Sequence, residues 1–586
     1  MLQIYTDNQL TDLPDDISLD LVFENPLFNT ERIPATYSLS YDLPLTPRNR
    51  AIFGNPDRVA AAGDRFRDHP TRILHSGIEI VSGVQTIEEV TAQSITVNFS
   101  GSVLPEWIDR KMYKAPLGEI VLTYFLSGQD SEQIAITDYD GQLRANQTAE
   151  NPAFVACPIA IKDSGEVTER DPENMEDTFL TTRKSFINLV DSQLNYIHRQ
   201  PNTSGKSYML KILPAVKVWY LFEQIFGDKL DRNVFKEGEW TKLCLQTLWH
   251  PEYRLTDNLP PWRSVDEDGI NKKIIRWADF MPDVTVADFV VKMLKLPGCT
   301  MFIRGDRFSV EYNDDILKRQ VYHDLQLEDG YTIGREPGQK YVLGYSNTSD
   351  GDQADAEIRE AASVVDGLRY MDGSTYVSAF RSRCPPQVLQ ADSESVPHLT
   401  VVKAYQAEED TEEDNEDETS TYDMTIQAEV VQCNVRRWWY KDSDLDGNVE
   451  RFYIPEIEKV EAKRPDTILL GLYQGIQNAI RYQGSTWHYP YLASTNYNAY
   501  GERLGELSLD MDTLSGLAKL HTGFKAWIEK DKLTVTGNAI FSALDLHNLD
   551  LRDKYCTLGR RFLIRTMNVS LKKNHIEPAE VELVEE

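Results

Sequence analysis

Apolar and polar residues alternate with a period of two through much of the first hundred residues. Ile17, Leu19, Leu21 and Phe23 interleave with Ser18, Asp20 and Val22, the spacing of a half-buried strand. Asn25-Pro26 ends it, because proline cannot donate to a ladder and pushes the preceding residue out of helical space. Tyr37, Leu39, Tyr41 and Leu43 repeat the alternation up to Pro44 and Pro47. Ile78/Ile80 and Ile95/Val97/Phe99 follow, punctuated by Gly77, Gly83 and Gly101. Short strands between regular turn signals predict a β-barrel or sandwich over residues 1–160.

The period then changes. Val218, Leu221, Phe222 and Ile225 form a helical stripe, with Pro214 expected in the first turn and Gly227 at the end. Thr285, with Asp288 three residues on, predicts a capped helix that buries Val286, Phe289, Val290, Met293 and Leu294 and stops at Pro297-Gly298. Thr300–Ile303 and Phe308–Tyr312 pair as a hairpin across Arg304-Gly305-Asp306-Arg307. Helix then strand recurs at Leu517, Leu520, Phe524 and Trp527, followed by Leu533–Val535. Strand character also marks Met424–Val431, Trp438-Trp439-Tyr440, Phe452–Ile454, Phe562–Leu571 and Val581–Val584.

These elements predict a β-rich, multidomain α+β chain of small barrels or sandwiches with helix-plus-hairpin insertions. The expected divisions are an N-terminal β-barrel-like domain at 1–160, an α+β domain at 161–315, a second β region at 316–423 and a C-terminal α+β domain at 424–586. Within the third lies an acidic linker, 408–418, with nine carboxylates in eleven residues and no apolar side chain. Such a run repels itself and cannot repay its ordering entropy, which predicts a solvated strap. Asp350–Glu360 repeats the signal more weakly.

Length and charge narrow the classes of function. The 586 residues allow roughly three to five domains. With 61 Lys+Arg against 93 Asp+Glu, the net charge of −32 argues against a protein that coats duplex DNA or lies on an anionic membrane. No apolar run reaches the ~18 residues of a membrane span, and Met1–Asp7 has no signal-peptide pattern. Synthesis in a cytoplasm is expected. The scattered Cys157, Cys244, Cys299, Cys384, Cys433 and Cys556 fit reduced packing thiols, with neither Cys-x-x-Cys nor zinc spacing.

Several short motifs resolve into turns or packing. Thr203-Ser204-Gly205-Lys206-Ser207 lacks the earlier glycine of a phosphate loop, since position 200 is Gln200. Asp442, Ser443, Asp444, Asp446 and Gly447 match the front of a calcium loop, but Tyr453 stands where a bidentate glutamate is needed. A hairpin turn or a calcium site are the two readings. Arg304-Gly305-Asp306 reads as ordinary turn chemistry. Trp438/Trp439, flanked by Arg436, Arg437 and Lys441, and the Trp487–Tyr500 tract offer rings to a base or sugar, or pack as core and interface.

No catalytic motif is present: no His-Glu-x-x-His, no Gly-x-Ser-x-Gly and no dinucleotide glycine fingerprint. No catalytic, cofactor-binding or metal-binding residue is assigned, no cofactor is expected, and a non-enzymatic protein is the expectation.

Asn25-Pro26-Leu27-Phe28, Tyr37–Leu43, Pro44–Asn49, Ile52-Phe53-Gly54-Asn55-Pro56 and His75–Glu79 resemble the opening of tail-associated virion proteins from phages and prophages of the Bacteroidetes. Leu213–Phe226, Pro282–Phe289, Ile303–Val310, Phe452–Pro455, Leu469–Gly475 and Leu514–Trp527 resemble that family's later segments in the same order. Such proteins are similar in layout to the baseplate hub, or tail tip, of long tails. The resemblance implies small β-barrels joined by α+β insertions, a trimeric ring, contact with the tail tube and other baseplate or spike proteins, and a place in the virion tail around the DNA channel during ejection.

An acidic surface suits a conduit that must not grip its cargo, so carboxylates are expected along the lumen. Neither sequence-specific nucleic-acid binding nor integral membrane contact is expected. The alternative is a host-surface or glycan-binding tail protein using the aromatic tracts, and a third reading is a tail-associated cell-wall hydrolase.

Overall fold

The computed structural model describes residues 1–33, 37–58, 66–101, 104–105, 107–124, 141–161, 186–196, 212–249, 264–265, 271–304, 306–345, 369–372, 375–378, 387–391, 397–401, 420–440, 448–457, 463–479, 487–498, 502–509 and 516–586. The acidic linker at 408–418, the Asp350–Glu360 run, the Thr203–Ser207 motif, Cys384 and the Asp442/Asp444/Asp446 cluster lie outside the described residues.

The two ends of the chain share one fourteen-stranded sheet. At its middle, Ser18–Glu24 runs antiparallel to Arg560–Lys572, in register from Ser18↔Lys572 to Glu24↔Thr566. Leu19, Leu21 and Phe23 are buried, as their alternation requires, and meet Met567, Val569 and Leu571 in one core. That core takes in Leu2, Ile4, Ile73, Val97 and Phe99 on the N-terminal side, and Val535, Val581 and Leu583 on the C-terminal side. The sheet therefore spans the expected divisions at 160 and 423. Several further sheets and short helices complete a β-rich α+β architecture, and among the described residues no sheet closes into a barrel.

Two local departures have clear causes. Tyr37–Leu43 is not one strand: Tyr37–Ser38 and Tyr41–Pro44 both pair with Ser94–Ser100, as Tyr37↔Ser100 and Tyr41↔Val97. Four residues on one strand oppose three on the other, so Leu39 falls at the irregularity and is 52% exposed. Gly83, in the long strand Ile78–Val90, admits Ser100 so closely that a Cβ there would sit 1.9 Å from its carbonyl oxygen.

The middle of the chain builds the largest core. A six-stranded sheet joins Phe154–Val155, Ala215–Lys217, Leu243–Gln246, Glu429–Val430, Leu469–Asn478 and His488–Ala493. The helix Val218–Phe226 begins one strand later than Pro214 suggested, because Ala215–Lys217 first pairs with Leu243–Gln246. It ends at Gly227, whose φ of 60° suits glycine. Its Phe222 packs 4.7 Å from Phe235 and 6.3 Å from Phe289 of the second helix, Val286–Lys295. Thr285 caps that helix by accepting the Asp288 amide at 3.1 Å, and Lys292 and Lys295 sit where the helix dipole favours cations. The hairpin Cys299–Arg304 and Arg307–Tyr312 follows as expected. No helix among the described residues is long and apolar enough to cross a membrane.

Candidate functional site

Trp487, Tyr489 and Tyr491 of the Trp487–Tyr500 tract are interior, while His488 between them faces solvent. Trp487, Tyr489 and Tyr491 are buried, and their polar tips go to backbone carbonyls: Trp487 Nε1 to Val190 O at 3.2 Å, Tyr489 OH to Tyr453 O at 2.9 Å, Tyr491 OH to Tyr497 O at 2.9 Å. Phe452 meets the rings of Trp487 and Tyr489 edge-on, 6.0 and 5.2 Å away. Rings enclosed in this way offer no face to a sugar. Trp438 and Trp439 lie in the strand Gln432–Tyr440, opposite Glu450 and Val449 of Asn448–Ile457; their side chains lie outside the described residues.

Four of the thiols are sealed, and Cys556 is half-exposed. The thiols of Cys157, Cys244, Cys299 and Cys433 are buried, and desolvation pushes each above the ordinary range. Among the described residues no three His, Cys, Asp or Glu side chains group as metal ligands. His69 Nδ1 lies 2.8 Å from Asp7 Oδ2, the start of an acid–base relay, but the ring packs against Phe53 at 5.0 Å and its enclosed Nε2 has no partner among the described residues. Carboxylates and guanidinia neutralise one another instead. Arg552 grips Asp550 and reaches Glu311 at 3.0 Å, and Glu311 also pairs with Arg232. The Arg552 pairing outweighs burial and holds the Asp550 carboxyl below its usual range. Arg304 donates to His547 O at 2.6 Å and Asp306 lies 3.5 Å from Lys229, while Gly305 lies outside the described residues.

The structure's most available feature is a sheet edge. Thr332–Glu336 pairs with Lys532–Ala539 on one side, from Thr332↔Thr536 to Glu336↔Lys532, and is the last strand of the large sheet. No described strand lies beyond it. Ile333 is 56% exposed and Tyr331 38% exposed. A row of outward backbone groups beside solvent-facing apolar side chains is a template for another strand. Arg335 pairs with Asp531 and Glu336 with Arg565, so charges flank the edge without covering it. The sequence reading passed over this strand; Tyr331-Thr332-Ile333 after Asp329-Gly330 carries its signal, an aromatic and β-branched run following a turn.

No protein-family model and no curated protein matches the chain. Among solved structures it is similar to the 43 kDa tail protein of prophage MuSo2 from Shewanella oneidensis, at 8% identity over 100% of this chain and 98% of that one, with a TM-score of 0.30. It is also similar to the tail protein from Neisseria meningitidis MC58, at 9% identity over 100% and 96% of the two chains, with a TM-score of 0.25. At these scores the overlap fixes neither fold nor role.

Proposed function

We propose that this chain is a structural subunit of a phage or phage-like tail, a baseplate hub or tail-tip protein that joins the tail tube to the distal baseplate around the DNA channel. One observation carries the reading: a sheet that recruits both ends of the chain stops at an exposed edge strand, Thr332–Glu336, with Ile333 turned to solvent. Edges of this kind are normally blunted or covered, and a neighbouring subunit is the simplest cover. The ordered resemblance of the chain's segments to tail-associated virion proteins favours a trimer and a place in the virion tail. The net charge of −32 suits a lumen that lets DNA pass, and the four buried thiols and paired carboxylates suit a part that works by shape.

Mass measurement in solution followed by negative-stain imaging tests this. A ring of three subunits with a central hole is the expected result. A compact monomer at micromolar concentration overturns the proposal.

A further inference from the structure

Lys217 and Cys244 stand directly opposite each other on the adjacent antiparallel strands Ala215–Lys217 and Leu243–Gln246. Directly opposed residues of such a pair project from the same face of the sheet. Both side chains turn back to one acceptor: Lys217 Nζ lies 3.2 Å, and Cys244 Sγ 3.3 Å, from the carbonyl oxygen of Lys242. That shared carbonyl oxygen holds the amine and the thiol side by side. Lys217 is 2% exposed and Cys244 fully buried, with the amine 5.0 Å from the centre of the Tyr473 ring. Among the described residues no carboxylate pairs with this lysine, so its ammonium form is held at a cost and the neutral, nucleophilic amine is within reach.

We propose that Lys217 and Cys244 form an oxidative crosslink, an Nζ–O–Sγ bridge, when the protein meets hydrogen peroxide. The sulfur lone pair takes one oxygen from a first peroxide, whose O–O bond breaks, leaving water and a sulfenic acid. The lone pair of the amine takes one oxygen from a second peroxide, leaving water and a hydroxylamine. The hydroxylamine oxygen then attacks the sulfenyl sulfur and expels the sulfenic oxygen as a third water, closing the bridge. Four electrons pass from sulfur and nitrogen to two peroxides. A single bridging oxygen spans two side chains that already meet at one carbonyl oxygen, whereas a direct S–N bond would draw together strands already fixed by their ladder. Burial slows entry of the oxidant and shields the product from further oxidation. The result is a covalent staple between two central strands of the middle sheet.

The test uses the full-length wild-type protein, so it does not depend on a variant folding. Native protein is treated with hydrogen peroxide, unfolded, alkylated, digested and analysed by mass spectrometry. The expected product joins the peptides of Lys217 and Cys244, with a gain of about 14 Da for one oxygen added and two hydrogens lost, and separates on treatment with dithiothreitol. Half-exposed Cys556 serves as the comparator and gains oxygen without joining a lysine. Sulfinic or sulfonic acid at Cys244 with Lys217 free, a disulfide between Cys244 and Cys157, an oxygen-free S–N link, or two unmodified peptides would each overturn the proposal.

Discussion

His521 Nδ1 accepts a hydrogen bond from the Tyr341 hydroxyl at 2.6 Å, while its Nε2 donates to Leu296 O at 3.1 Å. A carbonyl can only accept, so the pairing sets the imidazole tautomer. The buried ring thus bolts the end of the Val286–Lys295 helix to Tyr341, which stacks on Tyr422 at 5.8 Å. Gly298 leaves room for it, since a Cβ there would lie 3.1 Å from the ring.

This junction makes stability pH-dependent. Burial depresses the His521 pKa to about 4, although the Leu296 carbonyl and Asp314 pull the other way. The unfolded chain takes up the proton first, near its ordinary value of ~6.5. Between ~6.5 and about 4 the unfolded state therefore binds more protons, and stability falls as pH drops through that window. The loss from this group is up to ~3 kcal/mol. Urea unfolding at pH 7, 5.5 and 4 should show a steeper decline for the wild type than for His521→Gln. Parallel curves would show that the imidazole is not responsible.

Asn25 holds the chain's two ends together. Its Nδ2 donates to Ile564 O and Leu551 O, both at 2.8 Å, and its Oδ1 accepts the Leu27 amide at 3.0 Å. Asn25→Ala strands two carbonyls and one N–H in a buried site, at an expected cost of ~2–4 kcal/mol. The urea midpoint should fall accordingly, whereas a shift under ~0.5 kcal/mol would mean that water replaces the side chain.

Trp487 distinguishes packing from sugar binding. Trp487→Ala removes a ring packed against Phe452 and a hydrogen bond to Val190 O, and should cost ~3–5 kcal/mol. A variant as stable as the wild type that has lost glycan-array signal would reverse this reading.

The edge strand gives a prediction tied to assembly. Ile333→Lys places a charge on an exposed position, so the subunit's melting temperature should hardly move, with a change within ~0.5 kcal/mol. Light scattering should nevertheless show the proposed trimer falling to monomer. An unchanged oligomer would assign the interface to another face.

Much of the local structure was legible in the sequence. The Ser18–Glu24 alternation, the Thr285 cap and the Cys299–Tyr312 hairpin form as their periods and turn residues indicate, because those signals depend on backbone geometry within a few residues. Where a signal depends on distant partners, local reading went astray. The stripe from Leu517 to Trp527 looks like one helix but breaks into Leu517–Leu520 and Thr522–Ile528 at His521, whose side chain is committed to Tyr341 and Leu296. Leu39 fits the alternation yet faces solvent, because the register against Ser94–Ser100 slips by one residue.

What the sequence determined by itself was a β-rich chain with scattered cysteines, a strongly acidic balance and no catalytic motif. Only the tertiary structure decided that the first and last strands share a sheet, that Trp487, Tyr489 and Tyr491 are core, and that Thr332–Glu336 is left at an edge. The reason is physical. Periodicity records which face of an element is buried, but the choice of partner strand is made by burial and register summed over residues that lie far apart in the chain.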